Sequence, residues 1–125
     1  MRVLLLVPNP QLRLAVHALL AAERYDVDVC NSLQQIVVEA HGSSNGTVAL
    51  VDWQSMEGLL SDEHRGHLAD LTRRVRLVLI VPRRWARLLE GTDLYQAVAG
   101  LIARPFEADE LLGKLQNALA VPVDA

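Results

Sequence analysis

Asp52 closes the apolar run Ala49-Leu50-Val51, Arg104 stands directly before Pro105, and Asn9 sits between Pro8 and Pro10. A charged or polar residue just past such a run lies where a buried strand would reach solvent, and in open α/β sheets that end of the strands is where ligands bind. Val7-Pro8-Asn9, Asp52, Val81-Pro82 and Arg104-Pro105 are therefore the first residues to ask about function. Other residue types invite other chemistry. His64 and His67, three apart beside Asp62 and Glu63, would share a helix face and could hold a transition metal. No third ligand is defined, so solvated surface histidines are the expectation, and His17 and His41 form no pattern at all. Cys30 has no histidine paired with it to make a thiolate, which points to a small buried or half-buried side chain rather than a nucleophile. Arg73, Arg74, Arg76, Arg83, Arg84 and Arg87 bracket the run Leu77-Val81, with Trp85 among the last three. Arginine and tryptophan concentrate binding energy at interfaces, so the cluster reads as a docking patch. Equally, Trp85 can pack inward with Leu88 and Leu89 while the arginines solubilise the rim.

These residues need elements to position them. Val3-Val7, Val48-Val51, Leu77-Val81 and Leu101-Ala103 are apolar at every position, as strands buried on both faces of a parallel sheet must be. Val27-Asp28-Val29 alternates, which places that strand at an edge. Between the runs the period becomes helical: Leu12, Ala15, Val16, Leu19 and Leu20 fall on one face, as do Leu33, Ile36 and Val37, and later Leu111, Leu112, Leu115 and Leu119. Pro8 and Pro10, Asn31-Ser32 as an N-cap, and the loop Gly42-Ser43-Ser44-Asn45-Gly46 mark the breaks. The order βαβαβαβαβ, closed by a helix, predicts a doubly wound five-stranded α/β sheet with helices on both faces, because parallel strands joined by right-handed crossovers have few other solutions. Over 84–100 the spacing predicts a broken fourth helix, Arg84 to Glu90 stopping at Gly91, then a second turn capped by Thr92 or Asp93 and closing at Gly100.

With 125 residues, 51% of them hydrophobic and 22% charged, the chain fits one globular domain, read as 1–121 with a C-terminal tail over 122–125. No apolar run approaches the roughly 20 residues that span a bilayer, and Met1-Arg2 leads straight into the first one, so neither a membrane segment nor a signal peptide is expected. A lone cysteine closes no internal disulfide, which fits a cytoplasmic protein. A net charge of −3 and a pI near 5.7 give no general attraction to nucleic acid or anionic lipid, and neither partner is expected.

The run Val3-Leu4-Leu5-Leu6 followed by Pro10-Gln11-Leu12-Arg13, the strand end Ala49-Leu50-Val51-Asp52, and Arg104-Pro105-Phe106 before Ala108-Asp109-Glu110-Leu111-Leu112 together resemble the receiver domain of two-component response regulators. The resemblance covers essentially the whole chain. It implies a flavodoxin-like sheet in strand order 2-1-3-4-5, with Asp52 at the position of the family's phosphoacceptor. The other active positions differ. Val7 and Pro8 stand where an acidic pair would hold Mg²⁺, and Val81 where a serine or threonine would bind a phosphoryl oxygen. Arg104 replaces the lysine before the cis-proline, and Leu101 the aromatic switch residue. Mg²⁺ seeks near-octahedral oxygen ligation, which Asp52 alone supplies poorly, and phosphoryl transfer depends on that charge neutralisation. Asp52 is instead expected to pair with Arg104. Asn9 is expected to be a turn residue. Trp53 would begin the loop over the pocket, either as a lid or as an interaction anchor.

The resemblance implies a degenerate, pseudo-receiver member of the family: not an enzyme, with no cofactor and no metal, acting by protein–protein contact independently of phosphorylation. With no output domain expected after residue 125, it would signal by docking to a separate protein or by forming a homodimer. The family's usual partner face comprises the fourth helix, fifth strand and fifth helix, and here would use Arg83, Arg84, Trp85, Arg87 and Leu101. Two alternatives stand beside it. One is a working receiver modified on Asp52 by a histidine kinase. The other is a small-ligand-binding flavodoxin-like enzyme, although Val7-Pro8-Asn9-Pro10-Gln11 offers neither the glycines nor the hydroxyls of a phosphate loop.

Overall fold

Strands that are apolar at every position have no face to give to water, and three of the four such runs lie in the middle of the sheet. The fourth, Leu101-Ala103, was expected to be buried on both faces but is at an edge, where Leu101 and Ala103 stay half-buried because no strand flanks them on the outer side. The computed structural model describes residues 1–41, 46–52, 71–92 and 96–120. β1 (Arg2–Leu6), β3 (Thr47–Asp52) and β4 (Arg76–Pro82) are central, with β2 (Asp26–Val29) at one edge and β5 (Gly100–Arg104) at the other. All neighbours are parallel and the order is β2-β1-β3-β4-β5, as expected. Alternating residues of the central strands feed two separate cores. Leu4, Leu6, Ala49, Val51, Leu77, Leu79 and Val81 face one side, and Val3, Leu5, Val48, Leu50, Val78 and Ile80 the other. Each Val, Leu or Ile among them, fully buried, contributes about 1.5–3 kcal/mol of transfer free energy.

The described helices are α1 (Pro10–Ala22), α2 (Leu33–Ala40), α3 (Arg83–Leu89) and α4 (Ala108–Ala120). α1 and α4 cover one face of the sheet through Val16, Leu20, Leu111, Leu115 and Ala118. α2 and α3 cover the other, where Ile36, Ala40 and Leu89 join Leu71 and Val75. α3 is the fourth helix of the expected alternation, since most of the connection between β3 and β4 lies outside the described residues.

Capping follows local chemistry. Asn9 Oδ1 accepts the backbone N–H groups of Gln11 (2.9 Å) and Leu12 (3.0 Å), with Pro10 next to it in the first helical turn, where its missing N–H costs nothing. Asn9 is thus the N-cap of α1 and more than a turn residue. Ser32 Oγ accepts from Gln35 N at 3.1 Å, while Gln35 Oε1 accepts from Asn31 N at 2.8 Å, a reciprocal arrangement that starts α2. After α1 the chain turns through Arg24, whose φ of 66° is left-handed. The segment 84–100 is broken as expected. α3 starts one residue earlier than the sequence suggests and ends at Leu89, whose carbonyl accepts both the N–H and the hydroxyl of Thr92. Residues 96–97 are helical again before β5, and Asp93 lies outside the described residues.

Candidate functional site

Parallel pairing aligns the carboxyl ends of the strands on one edge of the sheet, with Leu6 opposite Val51, Asp52 opposite Ile80 and Pro82 opposite Arg104. Asp52, the last residue of β3, is fully buried. Arg104, the last of β5, reaches back so that its Nη2 lies 3.5 Å from Asp52 Oδ1, and its side chain retains 23% exposure. This separation makes an ion pair, longer than the roughly 2.7–2.9 Å of a full charge-assisted hydrogen bond. Among the described residues, the Nε of Arg104 is buried and has no hydrogen-bond partner. The Arg104–Pro105 peptide bond is cis, and Arg83 Nη2 donates to the Pro105 carbonyl at 3.5 Å.

The remaining residues expected at this corner do not share one pocket. Val7 packs into the core under α1 and α4, whereas Val81 lies within β4 and packs into the opposite core. Alternation along the strands sends their side chains to opposite faces of the sheet. Pro8 is exposed. Asn9, Pro82, Arg104 and Pro105 do come together, at the end of a groove of about 880 Å³ between α1 and the start of α4. Its floor is Leu12, Ala15, Val16, Leu19 and Phe106. The five residues expected on one face of α1 divide: Val16 and Leu20 are buried, Leu12 and Leu19 half-buried and Ala15 exposed. No sequence signal separated them, because i, i+3, i+4, i+7, i+8 is the ordinary apolar stripe of a core-facing helix.

The arginine cluster divides in two. Arg76 begins β4 and Arg83 follows its end, so the two groups are separated by about 20 Å of strand. Arg76 is buried, and Arg74 Nη1 lies 3.1 Å from His41 Nδ1. Only Arg83, Arg84 and Arg87 share α3, all exposed. Trp85 is half-buried against the core, while Leu88, expected to pack inward with it, is 66% exposed. Leu101 is half-buried and lines a hollow of about 400 Å³ with Ala86, Glu90 and Lys114.

Two further polar sites complete the survey. Burial, then the Glu39 and Asp28 carboxylates, push the Cys30 thiol above its ordinary value, so it stays protonated at neutral pH. Arg2 bridges Asp28 and Glu39, the latter at 2.8 Å, and its guanidinium pKa is raised by these bonds, Asp28 first. This ties β1 to β2 and α2, and no spacing in the sequence announced it. Trp53, His64 and His67 lie outside the described residues. No group of three or more metal-binding side chains gathers among the described residues.

No family model matches the sequence, and no curated protein matches it. Solved structures do. The receiver domain of a sensor histidine kinase from Pseudomonas aeruginosa, with a magnesium ion coordinated in its active-site cleft, superposes with a TM-score of 0.69 at 21% identity, over 96% of this chain and 98% of that one. A response regulator receiver domain protein from Clostridium thermocellum gives a TM-score of 0.73 at 14% identity, over 95% and 94%. The chain has a receiver fold. The same fold extends to a protein described as a CpaE2 pilus assembly protein from Sinorhizobium meliloti 1021, with a TM-score of 0.67 at 16% identity over 94% and 99% of the two chains.

A receiver fold implies a divalent cation beside the third-strand aspartate, and the residues at this corner fit one poorly. At the end of β1, Val7 is in the core, Pro8 carries no oxygen side chain, and Asn9 Oδ1 is engaged as a helix cap. Asp52 Oδ1 faces a guanidinium. Among the described residues, this donor set falls short of the octahedral oxygen shell that Mg²⁺ demands.

Proposed function

We propose that this chain is a receiver-type signalling module that works by protein–protein contact and does not depend on phosphorylation of Asp52. The observation that carries this reading is the Arg104–Asp52 ion pair beside a β1 end that offers no carboxylate. The permanent cation of Arg104 occupies the electrostatic role that a metal and a phosphoryl group would otherwise contest, and it holds β3 and β5 in one arrangement. Transfer of a phosphoryl group needs charge neutralised across its oxygens at the moment of transfer, and an arginine already paired with the acceptor does this poorly. The contact face comprises α3, β5 and α4, with Arg83, Arg84, Trp85, Arg87 and Leu101 engaging another protein or a second copy in the cytoplasm.

Beryllofluoride with Mg²⁺ tests the reading, since it mimics a phosphoryl group only where a metal-binding acceptor pocket exists. The expected outcome is no change in the amide signals of Val51, Asp52, Pro82-flanking residues or Arg104. Saturable shifts there would establish the alternative, a phosphoacceptor receiver modified by a histidine kinase. The enzyme reading is disfavoured by Asn9, whose side chain already takes the first free N–H groups of α1 that a phosphate would need.

A further inference from the structure

The groove along α1 is a feature that the signalling reading leaves unused. Its volume, about 880 Å³, falls in the range of small-molecule sites, and its lining has the usual make-up of such sites: a mainly apolar floor with a few polar groups at one end. Ala15 is exposed and Leu12, Leu19 and Phe106 are half-buried, so an apolar body laid there would remove surface from water that folding has left wet. The polar end is Asn9, Gln11 and Arg104.

Arg104 carries the assignment. A guanidinium has five N–H donors. The 3.5 Å approach of Nη2 to Asp52 engages this one and its Nε is buried, while the side chain keeps 23% exposure through which its remaining donors can meet a ligand. Arg104 is the charged residue that lines the groove, and its ion-pair partner Asp52 is fully buried, with the guanidinium left partly exposed. Glu107 and Asp109 are exposed and do not line the groove. The charged group that the groove itself presents is therefore a cation.

We propose that the groove between α1 and the β5–α4 connection binds a small amphiphilic carboxylate, with its apolar body on Leu12, Ala15, Leu19 and Phe106 and its carboxylate on Arg104. The site does not depend on whether Asp52 is ever phosphorylated. Its occupation would stiffen the β5–α4 connection that leads into the proposed contact face.

Octanoate and its uncharged amide, octanamide, are the probes, titrated into the whole chain and followed by amide chemical shifts. Octanoate is expected to shift Leu12, Ala15, Leu19 and Phe106 saturably, and octanamide to bind about tenfold more weakly, the scale of one charge-assisted hydrogen bond. Ala15→Trp, a substitution at an exposed helix position that fills the groove and leaves Arg104 in place, should abolish the shifts while the rest of the spectrum stays unchanged. Arg104→Gln should equalise the two probes, provided its spectrum remains that of a folded chain. No shift at the solubility limit, equal binding of acid and amide to the unaltered chain, or octanoate binding that survives Ala15→Trp would each overturn the proposal. Because none of these readouts involves beryllofluoride, the site and the phosphorylation-independent reading can fail separately.

Discussion

Asp52 and Arg104 show how far one contact can shape a site. A fully buried carboxylate is costly unless a cation stands by it, and the guanidinium at 3.5 Å is that cation. Removing one partner leaves the other's charge uncompensated, so Asp52→Ala should destabilise the fold by about 1–3 kcal/mol. The lower end applies, because Arg104 keeps 23% exposure and water can relieve part of the penalty. A urea midpoint lowered with an unchanged slope is the expected readout, and Asp52→Ala/Arg104→Ala should recover part of the loss. An unchanged midpoint in the single variant would mean that the pair contributes nothing. Asp52 and Arg104 were legible as partners because both stand at strand ends. The groove floor was not, because an apolar residue on a helix stripe looks the same in sequence whether it meets the sheet or the solvent.

Helix-start chemistry is local yet was read only in part: Ser32 caps α2 as expected, whereas Asn9 caps α1 where a turn residue was expected. Asn9 and Ser32 each satisfy backbone donors that would otherwise have no partner at the start of a helix. Asn9→Ala removes two such bonds and should cost about 1 kcal/mol, seen as a lower denaturant midpoint without loss of the native spectrum. A neutral substitution would show that water replaces the cap fully. α3 is the contrasting case. Seven residues carry three exposed arginines, a half-buried Trp85 and an exposed Leu88, and the helix period alone could not say which apolar residue turned inward. Leu89 did, because it follows the buried row of Leu77, Leu79 and Val81, and Leu88 was left facing out.

For the whole molecule, the proposed reading commits to one contact surface. If α3, β5 and α4 form that surface, Arg84→Ala with Trp85→Ala should abolish self-association in sedimentation while the monomer stays folded. Trp85 also packs on the core, so Arg84→Glu with Arg87→Glu, both at exposed positions, provides a second variant that leaves the packing alone. Dimers that persist in both variants would move the interface to another face. The structure divides the arginine patch: six arginines close together along the chain sit at two ends of β4, since a strand carries its flanks apart where a helix or loop could have kept them together.

Strand positions, the edge placement of β2 and the start of α2 were determined by the amino-acid sequence, because period and capping act over a few residues and each reports its own surroundings. Tertiary structure alone decided that Val7 and Val81 face opposite cores, that Arg104 spans from β5 to Asp52 on β3, and that part of the α1 stripe lines an open groove. These depend on which elements become neighbours and at what distance, and that information resides in no single stretch of chain.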